Sequence, residues 1–372
     1  MRILYITTAA AFGGATKHVV HLMRYFAAKG CRVGLVAGPE PRLMQAAKVI
    51  GAKVFPEPHF IYPISPYHDL RALISVWRAI KFFKPDIISS HSTKAGLAAR
   101  LSAAWERKPV IFTAHGWSFG EGRSFGKRWF LSWLERLAAK STVKIICVSE
   151  YDYRLALKFR IAPPNKLAII HNGIDPAPIG EADRMKIRKE LKLEKATVIT
   201  FVGRLNPQKD LSTLIKAAKL IAKAKIIIVG DGPLRQQVQG MIGKSNLADR
   251  VVLVGEQKRV EEFLVASDIF VLSSNWEGLP RSIIEAMLAK LPVVATDVGG
   301  VSELVKNSVT GFLVPPRDPA ALAGALEKLI EDKKLRKDMG EAGYQRALRK
   351  FSLDRMLVES QQVYEEILKC RL

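Results

Sequence analysis

Short apolar runs alternate with helical-period segments along nearly the whole chain, and this alternation limits the fold more than any other feature. Strand-like runs stand at Ile3–Thr7, Arg32–Ala37, Ile87–Ser90, Val110–Thr113, Lys144–Val148 and Leu167–Ile170. Segments of helical period lie between them, as at Thr16–Lys29 and Leu70–Phe83. Strands that are apolar throughout must be covered on both faces, the condition of parallel sheets flanked by helices. The pattern breaks at His171–Gly180, rich in Gly and Pro as a linker would be. It resumes with runs at Thr197–Val202, Lys225–Val229, Val251–Val254, Ile269–Leu272, Val293–Ala295 and Phe312–Val314. The expected fold is therefore α/β, with two Rossmann-like doubly wound domains, 1–176 and 177–350, facing a central cleft. An amphipathic helix at Leu353–Leu368 closes the chain, and segment 351–372 is expected to pack back toward the first domain. A chain of 372 residues suits two cores better than one.

Composition narrows the function classes. Met1–Ile6 is apolar for about five residues and then turns polar, which reads as a first strand and not a secretory signal. No window approaches the roughly 18 uncharged apolar residues of a spanning helix. Cys31, Cys147 and Cys370 are far apart, odd in number and in no metal spacing, which suits a reducing cytoplasm and argues against a disulfide framework or a zinc site. The net charge is +23. Residues 1–176 hold 26 Lys and Arg against 10 Asp and Glu, a net of +16, and the remainder carries +7. Such a field fits nucleic acid, an anionic membrane face or a phosphorylated substrate, or is a general solubility charge. No RNP, KH-like or zinc-finger pattern accompanies it, so nucleic acid is not an expected partner.

In doubly wound sheets, ligands bind outside the carboxyl ends of the strands. The first strand leads to Phe12-Gly13-Gly14, where two glycines at a helix N-terminus expose backbone N–H groups, or simply make a tight turn. His115 follows the run "VIFT" and is placed to face the cleft, or is a hydrogen-bonded structural histidine; His91 is positioned similarly. "TFVGRLNPQKD" puts Arg204 at a strand end and Lys209 near the next helix, a guanidinium fork and an ammonium suited to a pyrophosphate, or two solvated charges. "NWEGLPRSIIEAM" carries two acids, Glu277 and Glu285. With a helix beginning near Ser282, Ser282 and Glu285 have the spacing of a capping box. That leaves Glu277, and the backbone N–H groups of Gly278 and Leu279, without a structural duty. An ionised carboxylate only accepts, so a pair of them suits neighbouring sugar hydroxyls. Hydroxyls at the acids and phosphates at the cations are the two halves of a nucleotide sugar.

These residues resemble family 4 glycosyltransferases over essentially the whole length. The resemblance rests on "GG" at Gly13-Gly14, "TAHGW", "HNGID", "GRLNPQKD", "GDGP", "EGLPRSIIEAM" and "PVVATDVGG", taken together in order and spacing. It implies the GT-B architecture, with the donor nucleotide held mainly by the C-terminal domain. It assigns the donor diphosphate to Arg204 and Lys209, the ribose to Glu285, and the donor sugar to Glu277 and His115. Backbone N–H groups at Gly278–Leu279 would support sugar or phosphate, and Gly13-Gly14 would lie near the phosphate and acceptor. Lys290 stands where the family commonly has glycine at a helix C-terminus. The chain has no D-x-D motif, so the expected reaction is metal-independent, retaining hexosyl transfer from a nucleotide-diphosphate sugar, with a UDP-sugar favoured and no other cofactor. Fixed cations and helix N-termini can hold the leaving diphosphate. "HSTKAGLAARLSA" and "IFTAHGWSF" look most like the branch that builds cell-surface polysaccharides, which implies a saccharide or lipid-diphosphate-linked acceptor. Gly122–Lys140 mixes Arg123, Lys127 and Arg128 with Phe125, Trp129, Phe130 and Trp133. Such a helix either lies on an anionic membrane at the inner face of the cell membrane or packs its aromatics on the core. Two other readings are a nucleotide-sugar 2-epimerase of similar fold and a basic nucleic-acid-binding protein.

Overall fold

The computed structural model describes residues 1–8, 13–61, 65–193 and 196–369. Phe12, Tyr62–Ile64 of the aromatic, proline-rich loop after His59, and Cys370 lie outside the described residues. The chain divides into two compact units, Met1–Asn172 with Asp354–Leu372, and Gly173–Leu353.

The first unit is built on seven parallel strands: β1 (Arg2–Thr7), β2 (Arg32–Ala37), β3 (Lys53–Pro56), β4 (Ile87–His91), β5 (Val110–Ala114), β6 (Lys144–Cys147) and β7 (Leu167–Ile169), in the order β3-β2-β1-β4-β5-β6-β7. Period-two alternation sends its side chains to two cores. Leu4 and Ile6 of β1 lie opposite Ile88 and Ser90 of β4. Leu4, Ile6 and Ile88 pack with Val76, Ala79 and Ile80 of helix Pro66–Phe83 and with Ala95 and Ala99 of helix Thr93–Trp105. Tyr5 and Thr7 lie opposite Ser89 and His91 and face the other way. There Tyr5 stacks near His91 and Tyr364 donates to Ser89.

Tyr364 belongs to helix Leu353–Lys369, whose buried residues Met356, Leu357, Ser360, Val363, Tyr364 and Ile367 follow helical spacing. The helix packs in the first unit, with Tyr364 stacked on Phe26 at 4.9 Å. Helix Thr93–Trp105 is fastened to helix Phe125–Lys140 by a wholly buried pair, Arg100 Nη2 to Glu135 Oε2 at 2.7 Å. Arg100 also donates to the Gly96 carbonyl and lies over the Phe112 ring.

The second unit has six parallel strands: β8 (Thr197–Val202), β9 (Ala224–Val229), β10 (Val251–Gly255), β11 (Ile269–Leu272), β12 (Val293–Thr296) and β13 (Gly311–Val314), in the order β10-β9-β8-β11-β12-β13. The chain runs outward from β8 on one side and from β11 on the other, so the order reverses between these two strands. The first sheet has the same reversal between β1 and β4. Each reversal opens a crevice at the carboxyl ends of the two strands, the usual ligand position in this class of fold.

Candidate active site

In the second unit, the loops after β8 and β11 are stitched together. Ser273 Oγ donates to the carbonyls of Lys209 and Asp210 at 2.9 and 3.1 Å. Asn275 N donates to the Gln208 carbonyl at 2.7 Å, and Asn275 Nδ2 to that of Pro207 at 3.1 Å. Gln208 Nε2 donates to the Trp276 carbonyl at 2.9 Å. Pro207–Lys209 forms a single 3₁₀ turn. Asp210 then caps helix Leu211–Leu220, its carboxylate accepting from the N–H and hydroxyl of Thr213.

Glu277 is buried inside this double loop. Its carboxylate accepts from Lys209 Nζ, from Ser274 Oγ at 2.6 Å and from Gln208 Nε2 at 3.2 Å. The acid read from sequence as lacking a structural duty therefore has one. It neutralises Lys209 and ties the two loops, because an acid and an ammonium buried together must pair. Arg204, by contrast, is exposed just beyond β8, with no partner among the described residues. The two phosphate-binding candidates thus differ: one guanidinium faces solvent and one ammonium is already paired.

Two glycine motifs back these loops. A Cβ on Gly299, whose φ is +56°, would stand 1.9 Å from the Glu277 carbonyl oxygen, and Gly300 N donates to the Gly278 carbonyl at 2.9 Å. A Cβ on Gly230, at φ +135°, would stand 2.0 Å from the Gly203 carbonyl oxygen. Both positions need glycine for space and for backbone conformation. "PVVATDVGG" and "GDGP" accordingly shape the loops that carry Glu277 and Arg204.

The helix bearing Glu285 starts earlier than expected. It runs Arg281–Leu288 with Pro280 at the N-cap, and no side chain caps it. Pro280 has no N–H to satisfy and its φ is suited to the approach, so the helix begins directly after it. Ser282 is then its second residue, and the expected Ser282–Glu285 capping box does not form. Glu285 stands near Arg281: burial lowers the pKa of the Arg281 guanidinium and the Glu285 carboxylate opposes that shift. Gly278 is half-buried and Leu279 buried at the head of this turn. Lys290, just past the helix, has φ +58° and pairs with Glu341 at 2.9 Å.

In the first unit, Gly13 and Gly14 open helix Gly14–Ala28 and are exposed. Gly13 has φ −108°, and a Cβ there would meet nothing within 4 Å among the described residues. Among the described residues, neither backbone conformation nor packing demands glycine at Gly13. His91 ends β4 and His115 follows β5, with His91 Nδ1 and His115 Nε2 3.1 Å apart. His18 joins them from the helix, its ring 4.9 Å from His115 and 5.5 Å from His91. Burial lowers the pKa of the His91 imidazole well below its ordinary value, and His115 beside it adds to the effect. His91 is therefore a neutral group near pH 7.

In helix Phe125–Lys140 the four aromatics named above do not pack on the core. The buried residues of this helix are Ser132, Glu135, Ala138 and Ala139. Phe125, Trp129, Phe130 and Trp133 face solvent, at 88%, 62%, 48% and 41% exposure. Large aromatics are seldom left outside without a partner, and these share their helix with Lys127, Arg128, Arg136 and Lys140.

Comparison with known proteins decides the family. Residues 12–178 match the family model described as Glycosyltransferase Family 4, and residues 183–346 that described as Glycosyl transferases group 1. The UDP-Gal:alpha-D-GlcNAc-diphosphoundecaprenol alpha-1,3-galactosyltransferase of Escherichia coli is 35% identical over 283 residues, 73% of each chain. The chain belongs to glycosyltransferase family 4.

Other members extend the likeness. The capsular polysaccharide biosynthesis glycosyltransferase CapM of Staphylococcus aureus is 28% identical over 322 residues, covering 82% of this chain and 83% of its own. The solved Anabaena protein Alr3699/HepE, crystallised with UDP and glucose, superposes with a TM-score of 0.86 at 22% identity over 99% of both chains. That likeness establishes the GT-B fold of this family-4 enzyme. Of the residues singled out from sequence, Arg204, Lys209, Glu277 and His115 lie in loops that follow sheet strands, and Glu285 lies within helix Arg281–Leu288. Sequence reading missed Gln208 and Ser274 as partners of Glu277, and His18 as the third imidazole. His18 had a usable signal, its place on the first helix after Gly13-Gly14.

Proposed function

We propose that this family-4 glycosyltransferase moves a hexose-type sugar from a UDP-sugar to a saccharide or lipid-diphosphate-linked saccharide, with retention and without metal, in polysaccharide or glycolipid synthesis. The observation that carries the reading is the stitched double loop after β8 and β11, with Arg204, Lys209 and Glu277 at the reversal point of the second sheet. The Escherichia coli relative, named for UDP-galactose and a diphosphoundecaprenol acceptor, supports the donor and acceptor classes. CapM, named for capsular polysaccharide, supports the product class.

On this reading the second unit, Gly173–Leu353, holds the donor. Arg204 and Lys209 take the diphosphate, whose negative charge grows as the glycosidic bond breaks. Glu285 binds the ribose hydroxyls. Glu277 faces the donor sugar and keeps Lys209 in place, while the N–H groups at Gly278–Leu279 support sugar or phosphate. His115 contacts the sugar, and Gly13-Gly14 serve the phosphate and acceptor side. The acceptor hydroxyl attacks the face from which the diphosphate leaves, through an oxocarbenium-like state. Its proton passes to the departing phosphate oxygen, so configuration is retained. The exposed aromatic and basic helix Phe125–Lys140 rests on the anionic membrane that carries the acceptor. No described helix is long and apolar enough to cross a membrane, so the attachment is peripheral on this proposal.

A thermal-shift screen of nucleoside diphosphates and their sugars tests the donor, since a ligand bound only to the folded state raises the melting temperature. UDP and one UDP-sugar should stabilise most. Transfer that survives EDTA, with an α-linked product from an α-linked donor, is the expected outcome. Loss of activity in EDTA with rescue by magnesium, or a β-linked product, would refute the mechanism. Failure to co-sediment with anionic vesicles at low salt would remove the membrane part.

A further inference from the structure

Three imidazoles meet at the carboxyl ends of β4 and β5 in the first unit. His18, His91 and His115 each offer one ring nitrogen, and these nitrogens lie within 4.8 Å of one another. His18 and His91 are buried and His115 is half-buried. Packing alone gives no reason to gather three such groups, because apolar side chains would fill the space with no polar atoms to satisfy.

The spacing matches that of ligands around one ion. Around a tetrahedral zinc with Zn–N of about 2.0–2.1 Å, ligand nitrogens stand roughly 3.3–3.4 Å apart. His91 Nδ1 and His115 Nε2 are 3.1 Å apart, near one edge of that polyhedron. His18, edge-on to His115, needs to close by at most about 1.5 Å, within the reach of side-chain rotation.

The surroundings also fit. His91 Nε2 lies 3.0 Å from Ser89 Oγ, which accepts from the Tyr364 hydroxyl at 2.7 Å. Ligating histidines are characteristically held in this way through their second nitrogen, which fixes the tautomer and aims the first at the ion. Here that directs His91 Nδ1 into the cluster. We propose that His18, His91 and His115 form a binding site for a divalent transition ion of the zinc, copper or nickel class. Imidazole ligands suit these ions, whereas magnesium, calcium and manganese prefer oxygen. Three protein ligands leave a fourth position for water or for an atom of a bound molecule. The site is distinct in kind from the transfer chemistry, and an ion there would withdraw His115 from any sugar.

Isothermal titration of the metal-free, tag-free full chain with zinc chloride, without nucleotide or sugar, tests the proposal. One equivalent should bind, and magnesium chloride should give no binding at the same concentrations. S89A leaves all three ligands in place and should weaken zinc binding about tenfold or more. H18N, H91N and H115N should each weaken it further, with circular dichroism confirming the fold. Cobalt added to the parent chain should give the intense visible bands of a four-coordinate nitrogen site. No stoichiometric zinc uptake, or six-coordinate cobalt, would overturn the site. So would H18N and H115N chains that bind zinc like the parent, which would point to the His59–His68 pair, whose Nδ1 atoms are 3.0 Å apart. Because no substrate is present, failure to bind zinc leaves the transfer reading untouched, whereas zinc uptake would compete with the sugar contact proposed for His115.

Discussion

Replacing Glu277 by Gln tests whether this acid and Lys209 work as one unit. The two side chains are only 6% and 13% exposed, and the same carboxylate also accepts from Ser274 and Gln208. Gln keeps the shape and can still accept from one donor. It removes the charge beside the Lys209 ammonium and turns an NH₂ toward groups that are themselves donors. Breaking a buried pair by removing one partner costs about 3–5 kcal/mol. Some hydrogen bonding survives in the isostere, so about 2–3 kcal/mol is expected. For a domain of this size that lowers the melting temperature by roughly 4–12 °C. The cycle is completed by K209M and by E277Q/K209M, with unfolding followed in urea and without nucleotide. In the double variant no charge is stranded. Its cost should match that of the worse single variant, leaving an interaction of about 2 kcal/mol. An interaction below about 0.5 kcal/mol would refute the reading of a coupled buried pair. UDP binding then separates the roles: K209M should weaken it, whereas E277Q should bind UDP at least as tightly as the parent and lose turnover. Normal turnover in E277Q would leave Glu277 as a loop anchor alone.

Four further outcomes follow from particular contacts. Because Ser282 caps nothing, S282A should change stability by less than about 0.5 kcal/mol, whereas loss of a true cap costs about 1; E285A should raise the Kd for UDP about tenfold or more by calorimetry, and an unchanged Kd would remove Glu285 from the ribose site. E135A strands the buried Arg100 guanidinium and should cost about 3–5 kcal/mol in urea unfolding, with much of it recovered in R100M/E135L. His91 stays neutral in the folded chain while the unfolded chain binds a proton below about pH 6.5. Its contribution is thus complete above that pH and is lost as pH falls, by up to about 1.4 kcal/mol per unit. Melting curves in EDTA between pH 7.5 and 5 should be flatter for H91N, and an unchanged slope would contradict the neutral, buried state.

The strands carrying the site were legible because each contains an apolar or β-branched run and is followed by a Gly or polar residue. β3 was not: Lys53–Pro56 is an edge strand of four residues with exposed ends and no apolar run. The start of the Glu285 helix was misplaced because a Ser-x-x-Glu spacing looks the same whether Ser stands at the N-cap or inside the helix. Only the backbone at Pro280 decides it. Gln208 and Ser274 went unseen as partners of Glu277 because Gln208 is 69 residues from it and Ser274 looks like an ordinary strand end. Likewise His18, His91 and His115 converge only through the sheet order, which no local pattern states.

The Lys209–Glu277 pair also sharpens why a chain of such positive charge places acids at the reversal point of its second sheet. An ammonium buried without an anion is costly, and before any diphosphate arrives that anion has to come from the protein. Glu277 supplies it and holds Lys209 against the β8 loop. Arg204 needs no such partner because it is exposed. On the proposed reading, a bound diphosphate then meets one cation already oriented and one free to adjust, and its charge lessens Lys209's dependence on Glu277. The carboxylate becomes more available to sugar hydroxyls at the same moment. A consequence is that the destabilisation caused by E277Q should shrink in saturating UDP, since the nucleotide supplies the missing negative charge. Parent and E277Q chains melted with and without UDP measure this directly. A larger UDP-induced shift in E277Q than in the parent supports the exchange, and a smaller one shows that the acid, not the nucleotide, is what Lys209 requires.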